Sequence, residues 1–430
     1  MRAFTTPFPG LFFGLLFCLL APALQAANNS LSPSTYEALN AIQEQLAAQQ
    51  YSEAEEALLE LEDDLTPGFG LALSYQLHGQ LYLLQEKNNE AITWYSKALS
   101  LNALAPAQES ALSTTLAQLH LAAENTSAAI AELEPRLTKI LQLEKEKNSS
   151  KGKGDKEKNA DWIQPLSFIT LASAYQLEKN YAASIPWLLQ GIERTQARGD
   201  KPKENWLQML MAAHYQQKSY LKTAAVLDDL LRINPGKEDY WQQQAAIYQL
   251  LEKPKLALRT LELGYAGHYL KKADSILLLV QLLISENMPE RAGRILQAHI
   301  KDGTVELNER NWRLLAAAWQ QGRERDKAVI AMREASAFMD DGSLLYRAAQ
   351  MQQQAAQYQE ALNDSEAALK KGLSERDKPR ALMLAGSCAY ELKDFVAARR
   401  YFQQALTLAA VAANARVWLD YLDTLEQYPG

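Results

Sequence analysis

Histidine, cysteine and paired carboxylates are the side chains that could do chemistry here, as metal ligands, nucleophiles or general acids and bases. The five histidines are His78, His120, His214, His268 and His299. None belongs to a His-x-x-x-His or Glu-x-x-His pair, the spacings that set two ligands on one helical face. The sequence has no Gly-x-x-x-x-Gly-Lys phosphate loop, Gly-x-Ser-x-Gly elbow or Cys-x-x-Cys pair. Cys388 lies between Gly386 and Tyr390, where a packed thiol rather than a nucleophile is expected. Asp63-Asp64 and Asp340-Asp341 fall where helices should end or begin, and read as caps. The expectation is therefore a non-enzyme with no catalytic residue, cofactor or metal site.

The elements that carry these residues are set by a recurrence. A small residue stands at Ala54, Ala91, Ala129, Ser184, Ala224, Ala257, Ala292, Ala328, Ala361 and Ala398. The spacings run from 33 to 40 residues, with one of 55. A period of roughly 34 with this content describes stacked helical hairpins. The first helix of each carries an aromatic or leucine near its end, as at Tyr175, Tyr215, Tyr248 and Trp319. A polar turn follows, and the second helix opens on the small residue. Apolar positions three and four apart, as in Ile92, Tyr95 and Leu99, fit helices. The small residue lets two helices approach, and a larger one would overpack them.

By these residues, most clearly Gly79-x-x-Tyr82 with Ala91-x-x-x-Tyr95-x-x-Ala98, and Gly386 to Ala405, the chain resembles the tetratricopeptide repeat family from about Thr35 to Ala409. The resemblance implies an all-α, right-handed superhelical solenoid of about ten hairpins. Residues 410–430, with Val417, Trp418, Tyr421 and Leu425, form a capping helix and tail. It also implies that the first helices line a concave, protein-binding groove. Laid on this register, the groove carries Trp206, Met209, Gln216, Gln217, Gln242, Gln249, Gln281, Arg310, Arg313, Gln320, Gln321, Tyr346, Gln350, Gln353 and Gln354. Glutamine donates and accepts, which suits an extended peptide backbone. The alternative is that glutamine serves as a soluble helix former on an exposed face. The lysine and asparagine that some members use to grip a C-terminal carboxylate are missing.

The ends and the charge bound the setting. Residues 1–26 combine Arg2, the apolar run Leu11 to Leu20, Pro22 and Ala23-Leu24-Gln25-Ala26, which reads as a cleaved secretory signal peptide. An uncleaved anchor would need about 20 apolar residues. Phe17 before Cys18 argues against a lipidated start. Net charge is −7 for the whole chain, which disfavours nucleic acid and anionic membrane surfaces. Cys388 would be the only cysteine after cleavage, so no intrachain disulfide is possible.

The long spacing holds the apolar-free stretch Glu144 to Lys158, read as a flexible charged linker over 144–160. It would divide an N-terminal block of about three repeats (27–143) from a C-terminal block of about seven (161–409). Its role is open between a hinge or docking segment and a tolerated loop insertion.

Within Glu238 to Leu296, Tyr240-Trp241, Ala245-Ala246-Ile247-Tyr248, Leu256-Ala257, Gly264-Tyr265 and Pro289-Glu290-Arg291-Ala292 are similar to periplasmic repeat proteins that accompany TonB energy-transducing systems. That similarity implies a periplasmic accessory scaffold with TonB, ExbB and ExbD as partners. The rival reading is an envelope assembly factor for exopolysaccharide export, outer-membrane protein insertion or cell-wall synthesis.

Overall fold

The computed structural model describes residues 31–150 and 159–427, so the signal peptide expected at 1–26 lies outside the described residues. Among them every regular element is a helix, and there are twenty-one. That is the number for ten hairpins and a final helix. The chain divides into two compact units, with the boundary between Val226 and Leu227.

The N-terminal unit runs α1 (Pro33–Ala47), α2 (Tyr51–Asp64), α3 (Phe69–Leu84), α4 (Asn88–Ser100), α5 (Pro106–Ala122), α6 (Thr126–Ser149), α7 (Pro165–Leu177), α8 (Tyr181–Ala197) and α9 (Glu204–Gln216). The boundary falls inside α10 (Tyr220–Ile233). In the C-terminal unit follow α11 (Glu238–Leu250), α12 (Pro254–Ala266), α13 (Ala273–Ser285), α14 (Pro289–Lys301), α15 (Glu309–Gln321), α16 (Arg325–Ser336), α17 (Ser343–Gln354), α18 (Tyr358–Lys371), α19 (Asp377–Glu391), α20 (Phe395–Leu406) and α21 (Ala412–Gln427). Within each unit, consecutive helices pack on one another as antiparallel neighbours, joined by short connections except for α6 and α7, which residues 150–164 separate. This is the all-α hairpin array that the tetratricopeptide resemblance implies.

The recurring small residues explain the packing. All ten are buried, from Ala54 at 0% exposure to Ala224 at 4%. The partner helix contributes its own close approach at two places. A Cβ on Gly79 would stand 2.4 Å from the Tyr95 ring, and one on Gly386 would stand 2.5 Å from the Phe402 ring. Only hydrogen fits between those helices, so the two glycines are packing residues rather than flexible ones.

Each hairpin turns its corner in the same way. One residue between the first and second helix takes a left-handed backbone, with φ from 54° at Lys218 to 63° at Lys393. The next residue sends its N–H back five positions, as from Lys87 to Tyr82 (2.9 Å), Lys253 to Tyr248 (2.8 Å) and Asp394 to Ala389 (3.0 Å). This is the six-to-one closure of a helix C-terminus, which satisfies carbonyls that the helix itself leaves open. Glycine is the usual occupant of such a corner. Here the ten corners carry Gln49, Glu86, Glu124, Lys179, Lys218, Glu252, Asn287, Arg323, Ala356 and Lys393 instead.

Residues 144–160 depart from the linker reading. Glu144 to Ser149 continue α6, and only 151–158 lie outside the described residues. Glu144 is buried one turn beyond Ile140. Its carboxylate accepts the Ile163 N–H at 3.1 Å and the Arg194 guanidinium at 2.9 and 3.2 Å. Arg194 and Arg198 both also hold Asp161, at 2.8 Å each. Asn148 exchanges two hydrogen bonds with the Ala160 backbone, at 2.7 and 3.2 Å. A charge with a buried partner forms part of the structure, not a solvated stretch. The boundary between compact units accordingly does not fall here, since α6 and α7 pack together.

At the other end, α21 packs Trp418 flat on Phe402, with ring centroids 5.1 Å apart, and buries Leu422. Val417 and Tyr421, read as part of its apolar face, stand in solvent at 67% and 46% exposure. The cap therefore uses a narrower face than the sequence pattern suggested.

Tyrosines near the ends of two first helices, α3 and α7, tie their hairpins to the one before. Tyr82 donates to Glu55 at 2.7 Å and Tyr175 to Glu134 at 2.6 Å. The bond to Glu55, and then burial, push the Tyr82 hydroxyl up to about 12. Burial first, and then the bond to Glu134, do the same for Tyr175. A pKa raised in the folded state stabilises the fold fully below the unfolded value near 10 and loses that contribution as pH rises through the folded value. Stability to urea is therefore expected to fall between about pH 10 and pH 12. The Tyr82→Phe/Tyr175→Phe variant should show a shallower fall. An unchanged pH dependence in that variant would remove these two hydroxyls from the account.

Candidate functional site

Of the side chains that could do chemistry, His78, His214, His299 and Cys388 are held in packing contacts, while His268 is exposed. His78 is fully buried, with Nδ1 3.0 Å from Glu62 and its ring 3.8 Å from the Trp94 ring in a parallel stack. His214 is buried, and desolvation followed by Lys222 lowers its pKa. His299 meets the Tyr265 hydroxyl at 3.2 Å and Asp302 at 3.1 Å. Burial pushes the Cys388 thiol up to about 11, which leaves it protonated and a poor nucleophile. Asp341, one residue before the N-cap Gly342, accepts the N–H of Ser343, the first residue of α17, at 2.8 Å. Among the described residues no three His, Cys, Asp or Glu side chains are grouped to hold a metal ion.

The groove residues divide by unit and by partner. In the N-terminal unit, Trp206 is buried and Met209 half-buried on α9, while Gln216 and Gln217 are exposed at its end. The Met209 carbonyl accepts the Gln176 side chain from α7 at 2.9 Å. In the C-terminal unit, Gln242 on α11 donates to Ser275 on α13, and Gln353 on α17 donates to Ser387 on α19 at 2.6 Å. Gln118 on α5 reaches Thr170 on α7 in the same sense, at 3.4 Å. These amides join the first helix of one hairpin to the first helix of the next. Gln242 and Gln353, expected to meet a peptide, instead hold neighbours together, because a half-buried amide needs a partner within the fold. Tyr346 is buried at 8% exposure, and its hydroxyl is raised by that burial. Gln249, Gln321 and Gln354 are exposed, and Gln320 and Gln350 half-buried.

Three of the expected residues do come together. Gln281 on α13, with Arg310 and Arg313 on α15, lines an open depression of about 680 Å³ completed by Asn308, Glu309 and Leu314. Asn308 caps α15 by accepting the Asn311 N–H at 3.0 Å. Arg313 pairs with Glu309 at 2.9 Å, and its guanidinium rests 3.2 Å from the Met339 sulfur. Arg310 is exposed and has no side-chain hydrogen bond or ion pair among the described residues. The arrangement offers a free guanidinium and an amide over an apolar wall.

The sequence reading missed Arg380 on α19. It stands at the same offset before Ala398 as Arg310 does before Ala328, so the register itself carried the signal. Arg380 is exposed and lies near enough to Tyr346 to act on its hydroxyl electrostatically.

No protein-family model matches the chain, and no curated protein is similar to it. Solved structures are similar at low identity. One is a tetratricopeptide repeat protein from Parabacteroides merdae, 14% identical, covering 67% of this chain and 99% of that one with a TM-score of 0.33. Another is the C-terminal part of a TPR repeat-containing protein from Cytophaga hutchinsonii, 13% identical, covering 70% and 95% with a TM-score of 0.34. A third is YrrB, described as a TPR protein with an unusual peptide-binding site, 14% identical over 42% of this chain and 89% of that one, TM-score 0.31.

Proposed function

We propose that this protein is a non-catalytic scaffold that holds extended segments of other proteins, acting in the periplasm as an accessory to a TonB-dependent uptake system. The observation that carries the binding role is the open depression of Gln281, Arg310 and Arg313, a site shaped for a passing chain rather than an enclosed small molecule. Hairpins spend their apolar surface on their neighbours, which leaves the first-helix face free for a partner. The setting rests on the signal-like residues 1–26, and TonB, ExbB and ExbD as partners rest on the sequence similarity within Glu238 to Leu296.

A photo-crosslinking residue placed at Gln281, and another at Lys255 on α12, would test this in intact cells. Adducts with TonB, ExbB or ExbD at Gln281, and none at Lys255, are the expected result. Adducts with an export pore, an outer-membrane insertion complex or a cell-wall polymerase would replace the TonB assignment with an assembly role. A Gln281 probe that captures nothing would remove the depression as a binding surface.

A further inference from the structure

The charges along α15, α17 and α19 do not balance on the exposed side. Near the first turns of these helices Glu309, Asp341 and Asp377 are each engaged within the fold, whereas Asp340 and, at the far end of α19, Glu391 are exposed. Glu309 pairs with Arg313, Asp341 accepts the Ser343 N–H, and Asp377 accepts the Ser374 hydroxyl at 2.9 Å. Serine N–H and hydroxyl bonds, with Arg313 and Lys371 nearby, hold the Asp341 carboxyl below the usual carboxylate range. Arg310 and Arg380, like Arg347 on α17 between them, are left exposed with no side-chain hydrogen bond or ion pair among the described residues. They occupy the same offset in two hairpins that have one other between them. This is a local cationic stretch on a chain whose net charge is −7.

We propose that this face of the C-terminal unit takes an extended, acidic protein segment, with Arg310 and Arg380 each pairing one of its side-chain carboxylates. A guanidinium presents a planar fork that matches a carboxylate with two parallel bonds. With first helices about 10 Å apart, the two arginines are separated by roughly 20 Å. About six residues of extended chain, at roughly 3.3 Å each, span that length. Two acids spaced by about that interval would therefore meet both arginines at once. The proposal rests on the reading of this face as a protein-binding surface, and adds the chemistry of the partner.

The test uses the full chain and two synthetic twelve-residue peptides with amidated C-termini, one alternating glutamate with glycine and the other alternating glutamine with glycine. Fluorescence anisotropy should show the glutamate peptide binding at least about tenfold tighter, with the difference shrinking as salt rises. Arg310→Gln/Arg380→Gln should bring the glutamate peptide down to the glutamine level. Lys255→Gln/Arg259→Gln, the same charge loss on α12, should change binding less than about twofold. Equal binding of the two peptides would overturn this inference while leaving the binding face intact. Undiminished glutamate binding in the Arg310/Arg380 variant, or no binding of the glutamate peptide at all, would overturn it as well. A requirement for a free C-terminal carboxylate would do the same.

Discussion

Replacing Glu144 with alanine is expected to destabilise the protein by about 3 kcal/mol, because it leaves a largely buried guanidinium without its main partner. The Arg194 side chain is 19% exposed and Glu144 only 5%. Asp161, at 40% exposure, is the carboxylate that would remain. The backbone N–H groups of Trp162 and Ile163 would lose their acceptor too, and an unmet buried donor costs about 1–3 kcal/mol on its own. Glu144→Gln keeps one oxygen but turns an amide NH₂ toward Arg194, so an intermediate loss is expected. Urea unfolding measures the stability, and amide exchange at residues 159–163 measures the local closure. A loss under about 1 kcal/mol with protection unchanged would show that the carboxylate is dispensable.

Phe402→Ala should cost about 3–5 kcal/mol, the range for deleting a fully buried aromatic ring. Phe402 is 0% exposed, stacks on Trp418 and leaves no space for a Cβ on Gly386. Gly386→Ala in the unaltered chain should cost about 1–3 kcal/mol through overpacking. The two changes touch the same space from opposite helices, so their effects should not add. With the ring gone, the methyl on residue 386 has room, and Gly386→Ala should then be close to neutral. Both costs adding in full in a double-mutant cycle would mean that ring and glycine do not meet. Trp418 emission gives an independent view of the same contact.

These two sites differ in how far they could be read in advance. Gly386 and Phe402 repeat the offset of Gly79 and Tyr95, so the period exposes them as a facing pair. The period was legible because close helix approach permits only small side chains, at Ala91, Ala257 or Ala398, and that constraint acts locally. Glu144 was not legible, since a charge among lysines reads as solvated. Its partner Arg194 lies 50 residues on, and only the closed α6–α7 junction brings them together. The groove was read in part for the same reason. Register set Gln281, Arg310 and Arg313 on one face, and they line one depression, but it could not show that the Gln242 and Gln353 amides meet Ser275 and Ser387. Whether an amide faces solvent or a neighbour depends on the spacing of successive first helices, a tertiary quantity with no local signature. Arg380 stands on the same register, but it sits in the first turn of α19 just after the charged run Glu375 to Lys378, which reads as solvated.

The ten left-handed corners have a consequence for how such a chain changes in length. Each closes with the same backbone geometry, and none depends on a glycine or on one particular side chain. Deleting residues 253–287 would join Glu252 to Met288, so the corner after α11 would simply be continued by the second helix of the following hairpin. Gene duplication or loss in steps of one period therefore needs no new turn, only new neighbours for the exposed helix faces. Array length becomes an evolvable trait, separable from the fold of any single hairpin.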